Sequence, residues 1–200
     1  MRSDLAKHLI HFTKGHDRED AYQTLKHILQ QRRLMASTRN VPGAMPCICF
    51  SEAPLASLEH GLINDTGFTR YAPFGLLFSK SYVFARGGRP VIYQPDAEFS
   101  FLPNALRWRH VRFDLSGGAP VDFTWEREWR LPTEDLRFEF SDVEVVLPDE
   151  YFRDRFVSEA DADSFQHAWA YTHVLGEVAW AYDTGNPWRT VALKQRLTPT

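Results

Sequence analysis

Residues 123 to 131 read FTWEREWRL, with two glutamates, two arginines and two tryptophans in nine positions. In an extended segment, side chains alternate between faces. Phe123, Trp125, Arg127, Trp129 and Leu131 then share one face, and Thr124, Glu126, Glu128 and Arg130 share the other. A helix would pair Glu126 with Arg130 at i,i+4 but would not gather the rings into one stripe, so the pattern predicts a strand. Two carboxylates that close raise at least one pKa unless a cation relieves them. Such a pair has a use: one carboxylate anchors a substrate hydroxyl while the other orients a nucleophile or steadies a cationic transition state. The competing reading is a solvated face of an edge strand, neutralised by Arg127 and Arg130. Spacing alone favours it, because charged strand faces are common.

Other stretches carry further candidates. In LIHFT, a strand puts His11 and Thr13 on one face with Leu9, and Ile10 and Phe12 toward the core. A neutral imidazole beside a hydroxyl can grip a sugar or an amide by hydrogen bonds. A surface histidine, one of eight in the chain, is the plainer reading. In CFSEAPL, Ser51 fits a helix N-cap with Glu52 in the first turn. No Gly-x-Ser-x-Gly elbow surrounds that serine, so nothing marks it as a nucleophile. Arg70, Tyr71, Lys80, Tyr82, Arg86 and Arg89 form a run of cations and phenols that suits a pyrophosphate or carboxylate. RWRHVR, residues 107 to 112, has the composition for phosphate contacts and stacking, or for the wet side of an edge strand. Cys47 and Cys49 are the only cysteines. One residue apart on a strand they point in parallel and cannot readily bond, so both are read as reduced thiols. Their spacing is tighter than that of structural zinc sites, and no metal is expected.

The elements that must position these residues follow from pattern. A strand at LIHFT precedes a helix starting at Asp17, with Leu25, Ile28, Leu29 and Met35 at helical spacing. MPCICFS, FGLLFSK, RPVIYQ, ALRWRHVRFDL, FTWEREWRL and DVEVVLP read as strands, and EAPLASLEHGL as a short helix. EYFRDRF and ADADSFQHAWAYTHVL read as helices, and the tail as one last strand. The expectation is a single α+β domain over 1–200, with a central mixed or antiparallel sheet flanked by N-terminal and C-terminal helices. Its strand-rich core covers 1–148, a helical segment 149–176 and a tail 177–200.

Composition limits the function classes. With 44% hydrophobic and 24% charged residues, the chain can bury a real core. A net charge of −3 provides no global basic field, so nucleic acid would need a local patch. No signal-peptide core and no bilayer-length apolar run is present, which predicts a cytoplasmic protein with no membrane partner. Walker and Gly-x-Gly-x-x-Gly loops are absent.

Taken in order, LIHFT, CICFSEAPL, RYAPFGLLFSKSYVFARGGRPVIYQ, WEREWRL and VEVVLP resemble the AbiGi-like family of bacterial abortive-infection proteins. The likeness spans most of the first 150 residues, with FSEAPL, GGRPVIY and EREWR as its most specific parts. That family is described as an antitoxin or phage-defence component. More remotely, the opening His-x-Thr strand, a central tyrosine or arginine and a late Glu-x-Glu resemble the ADP-ribosyltransferase fold. The resemblance implies NAD as substrate, for a transferase or an NAD glycohydrolase. His11 and Thr13 would then meet the nicotinamide ribose and amide. Tyr71 or Tyr82 would stack on nicotinamide, and Arg86 or Arg89 would reach a phosphate. Glu128 would be the catalytic carboxylate and Glu126 its partner for the acceptor. The Ser-Thr-Ser stretch of arginine-directed members is missing here. Two further readings stand beside this one. The first is a non-catalytic antitoxin or phage sensor that binds a protein partner. The second is a nucleic-acid binder, against which the acidic net charge weighs.

Overall fold

Leu9, Ile10 and Phe12 are all buried, because β1 (His8–Phe12) runs through the middle of a sheet covered on both faces. The computed structural model describes residues 6–55, 73–116, 118–175 and 186–194. The other strands of this sheet are β3 (Cys47–Ser51), β4 (Gly75–Ser79), β5 (Arg89–Pro90), β8 (Glu128–Pro132), β10 (Val143–Asp149) and β11 (Arg189–Lys194). Their order is β11-β10-β4-β1-β3-β8-β5. Every pairing is antiparallel except β10 with β11. Two small ladders lie outside it. β2 (Arg33–Met35) pairs with β9 (Asp135–Arg137), and β6 (Ile92–Gln94) runs parallel to β7 (His110–Arg112).

Alternation along the strands separates two cores. Leu9, Ile48, Phe50, Leu76, Phe78, Trp129, Leu131, Val143, Val145 and Leu147 belong to the larger one. It is covered by Tyr22, Leu25 and Leu29 of α1 (Arg18–Gln31) and by Phe152 and Phe156 of α3 (Glu150–Leu175). Ile10, Phe12, Leu77, Val146 and Leu193 form a smaller cluster with Ala53 on the other face. Each large side chain so buried contributes about 1.5–3 kcal/mol, which makes the larger face the main source of stability. Polar contacts fix the helices on it. Asp17 caps α1 by accepting from Asp20 N, and Tyr22 Oη and Lys26 Nζ both donate to Glu159 of α3.

The α+β class and the central mixed sheet with N-terminal and C-terminal helices are as expected. Several boundaries differ. Met35 belongs to β2 and is exposed, because Arg32 takes the left-handed conformation and ends α1. ALRWRHVRFDL is mostly a 3₁₀ turn (Asn104–Arg109), with only His110–Arg112 in a strand. Lys80–Ala85 forms a short helix, α2, between β4 and β5, and Gly87, at φ 98°, lies just past its end. The two C-terminal helices are one continuous α3. Most of EAPLASLEHGL lies outside the described residues. No helix among them is long and apolar enough to cross a membrane.

Candidate functional site

FTWEREWRL is not one strand. Thr124–Glu126 is a 3₁₀ turn, Arg127 sits at φ 45°, and β8 starts only at Glu128. Hydrogen bonds from outside the segment hold this bend. Ser51 Oγ donates to the Glu126 carbonyl at 2.7 Å, Glu52 N donates to the Arg127 carbonyl at 3.1 Å, and Glu128 N donates to the Tyr93 hydroxyl at 2.9 Å. The expectation that Glu126 and Glu128 project from one face of a strand is therefore corrected. A pleat cannot relate them, because the left-handed residue between them reverses the local path. Trp129 and Leu131 enter the core as expected, whereas Trp125, 40% exposed, does not.

The turn still brings both carboxylates inward. Glu126 is 3% exposed, and the side chain of Glu128 is 11% exposed. Arg130 Nε donates to Glu128 at 2.9 Å, and Arg130 Nη1 donates to the carbonyls of Trp108 (2.8 Å) and His110 (3.0 Å). Burial works against the Arg130 charge, but Glu128 outweighs it and holds the guanidinium protonated. The Tyr93 phenol is pushed up to about 12, first by burial and then by the charges of Glu128 and Glu126, net of the hydrogen bond from Glu128 N. One phenol thus feels both acids.

Pairing register adds Cys49 to this cluster. Ile10 lies opposite Ser51, and Ser51 opposite Glu128, so the three form a row across β1, β3 and β8 with side chains on one face. Cys49, two residues back on β3, shares that face. As a whole residue Cys49 is exposed, yet atoms crowd its sulfur. Desolvation and then the Glu128 carboxylate push the thiol up to about 12. Both cysteines are free thiols. Raised thiol pKa values disfavour the thiolate, which argues against a cysteine nucleophile.

His11 lies in the next row, with Phe50 and Trp129, on the opposite face. Its ring meets Phe50 edge-on at 5.9 Å between centroids. Nδ1 is 2.8 Å from the Cys49 carbonyl oxygen. A carbonyl can only accept, so Nδ1 carries the proton and Nε2 is the acceptor. Burial lowers the pKa of His11 despite that bond, and the charge acting on it is Lys14 rather than either glutamate. β1 and β3 share one bridge, Ile10 with Ser51, and separate beyond it. The imidazole takes a backbone acceptor where the ladder opens. Thr13 is buried, and its hydroxyl lies 3.3 Å from both the Ala21 and Phe74 carbonyls, tying α1 to the entry of β4.

The remaining candidates sit elsewhere. Tyr82 Oη donates to the Arg137 carbonyl at 3.1 Å, and the Arg86 guanidinium covers its ring at 3.4 Å. Arg89 Nη1 donates to the carbonyls of Phe84 and Gly88. Tyr71 lies outside the described residues. Glu126 and Glu128 are thus both withdrawn from solvent and both act on Tyr93, while His11 and Thr13 are on the other side of the sheet. Sequence reasoning missed Tyr93 and Cys49 as members of the carboxylate cluster. It also read Glu52 as a helix first-turn residue. Its carboxylate instead meets Lys80 Nζ and accepts from Trp129 Nε1 at 2.7 Å, on the His11 face. Ser51 is the last residue of β3, and its hydroxyl accepts from Ala53 N as well as bonding the Glu126 carbonyl. Among the described residues, no three His, Cys, Asp or Glu side chains gather as a metal would require. Comparison with protein-family models, curated proteins and solved structures finds no match to this chain.

Proposed function

We propose that the chain is an NAD-consuming protein of bacterial phage defence, ADP-ribosyltransferase-like in fold and site, with Glu128 as the catalytic carboxylate. The observation that carries this reading is the seating of Glu126 and Glu128. Both are withdrawn from solvent, and both act on the same Tyr93 phenol at the entrance of β8. Cys49 is the link to His11. Its carbonyl accepts from the imidazole, and the charge on Glu128 acts on its thiol. His11 and Glu128 face opposite sides of the sheet, so a ligand that reached both would have to pass between β1 and β3, which share a single bridge.

Cleavage of the bond between nicotinamide and ribose builds positive charge on the ribose. A fixed carboxylate beside that carbon stabilises the transition state more than the ground state. Glu128 supplies the charge, held in place by Arg130. Glu126 orients the acceptor, and His11 offers Nε2 as an acceptor for a ribose hydroxyl or an amide. Incubation of the pure protein with NAD tests this directly. Nicotinamide should be released by the native chain and not by folded Glu128→Gln. No release at millimolar NAD, with no rise in the melting temperature, would overturn it.

A second reading is a non-catalytic antitoxin or phage sensor that binds a protein partner. The opposite facing of His11 and Glu128 favours it, as do the exposed Trp125, Met35 and Tyr151. In that case Trp125→Ala would break a complex with the product of a neighbouring gene, and Glu128→Gln would leave it intact.

A further inference from the structure

Most arginines among the described residues are ion-paired, including Arg18, Arg32, Arg33, Arg112, Arg130, Arg153, Arg155 and Arg189. Arg86, Arg89, Arg107 and Arg109 make no ion pair there, and they fall together. Arg86 and Arg89 flank the Gly87–Gly88 turn leading into β5, the outermost strand of the main sheet. Arg107 and Arg109 lie on the 3₁₀ turn Asn104–Arg109. Arg109 Nε donates to the Pro90 carbonyl at 2.8 Å, which joins the two segments.

Backbone carbonyls, not carboxylates, anchor these guanidinium groups. Arg89 Nη1 bonds the Phe84 carbonyl at 2.9 Å and the Gly88 carbonyl at 2.6 Å, and Arg107 Nε bonds the Leu102 carbonyl at 3.2 Å. Such bonds fix direction without cancelling charge. Burial, and then the charge of Arg89, lower the pKa of Arg109. Asp142 and Glu139 lie within electrostatic reach of Tyr82, beside Arg86, and Asp96 and Glu98 open the 3₁₀ turn Asp96–Phe101, with Asp96 facing His110 and Arg112, so the arginines of this edge without an ion pair, apart from Arg86, are Arg89, Arg107 and Arg109. Apolar surface runs alongside. Arg89 covers the ring of Phe84 at 4.0 Å, Arg107 covers Phe99 at 5.2 Å, and Phe101 is 81% exposed.

We infer that this edge binds a single strand of nucleic acid, with Arg89, Arg107 and Arg109 on successive phosphates and Phe101 stacked on a base. Like-charged guanidiniums held without carboxylates are matched by phosphates, which accept bidentate bonds. Exposed rings between them favour a single strand over an acidic peptide, because each base has a stacking face. An open sheet edge, not a closed cavity, suits an extended polyanion. The acidic net charge of the chain does not oppose this, since the field that matters is local. The inference does not depend on NAD chemistry.

The test is fluorescence anisotropy of labelled oligo(dT) and oligo(U), about 20 nucleotides long, with the full chain. Binding is expected at low salt. Three phosphate contacts at about −0.7 each in the log–log salt slope mean about a fourfold loss per doubling of salt. Arg89→Gln with Arg109→Gln should weaken binding at least about tenfold, and Phe101→Ala about fivefold or more. Arg153→Gln, on α3 beside β10 and far across the sheet order from β5, should leave it unchanged. If the double variant melts early, Arg107→Gln with Phe101→Ala carries the test. Absence of binding by the native chain at low salt would overturn the inference. So would unchanged affinity in a folded edge variant. Displacement of the oligonucleotide by inorganic pyrophosphate at equal phosphate, with Phe101→Ala silent, would also overturn it and assign the edge to a small phosphate ligand.

Discussion

His11 Nδ1 donates to the carbonyl of Cys49 at 2.8 Å, at the point where β1 and β3 stop pairing. A side chain thus completes a ladder that the backbones leave open. Burial lowers the pKa of His11 below the usual imidazole range. A group with a depressed folded pKa binds its proton less well in the native state. For a histidine this means that its contribution to stability is intact above the unfolded pKa and declines as pH falls below it. His11→Asn, which keeps a donor, should therefore reduce the fall in melting temperature between about pH 7.5 and 5. Thermal melts at the two pH values check this, and an undiminished fall would assign the acid sensitivity to other groups.

The pair Glu128–Arg130 is nearly dry, with side chains 11% and 5% exposed. Removal of one member of a buried pair leaves the other charge uncompensated, at a cost of about 3–5 kcal/mol. Arg130→Met should fall in that range, because it also strips donors from the carbonyls of Trp108 and His110. Glu128→Gln should cost somewhat less, about 3 kcal/mol, since the guanidinium loses its counter-charge but keeps the amide oxygen and the carbonyls as acceptors. Urea denaturation should rank the two variants in that order. The same measurement shows whether loss of activity in Glu128→Gln is chemical.

Much of the sheet was legible because alternation is a strong local signal. LIHFT, CICFS, FGLLF and DVEVVLP each form strands, but Leu9, expected to face away from the core with His11, enters the larger cluster while Ile10 and Phe12 enter the smaller one. The failures share a physical cause. Arg127 and Arg32 are not residues that announce a left-handed backbone, yet both adopt one. The bend at Arg127 is imposed by partners distant in sequence, Ser51, Glu52 and Tyr93, which no reading of nine residues can contain. For the same reason, the facing of His11 relative to Glu128 depended on a register across three strands. Both glutamates are nonetheless withdrawn from solvent, because the turn folds Glu126 back into the interior.

Gly75 pairs with Phe12 in β4, and a Cβ built there would run into the carbonyl oxygen of His11. The obstacle is backbone, which cannot rotate away. Gly75→Ala should therefore cost more than about 2 kcal/mol and disturb the opening beside His11. Gly118→Ala, where a Cβ meets nothing within 4 Å, should stay within about 0.5 kcal/mol of the native chain. Equal stability of the two variants would contradict the close approach of β1 and β4.

Glu52 joins Lys80 and Trp129 on the face that also carries His11. Trp129 is 6% exposed, and its indole N–H donates to the Glu52 carboxylate at 2.7 Å. Lys80 Nζ also lies over that ring, 5.3 Å from its centroid. A buried indole donor left without an acceptor costs about 1–3 kcal/mol, whereas loss of charge alone removes only the partly exposed Lys80 partner. Glu52→Gln, which keeps an acceptor for Trp129, should therefore be milder than Glu52→Ala by at least about 1 kcal/mol in urea melts. If the two variants were equally destabilised, the ion pair with Lys80 would be the larger part of the interaction. Should the cluster instead serve a ligand entering at the β1–β3 opening, Glu52→Gln would lower NAD affinity with stability little changed.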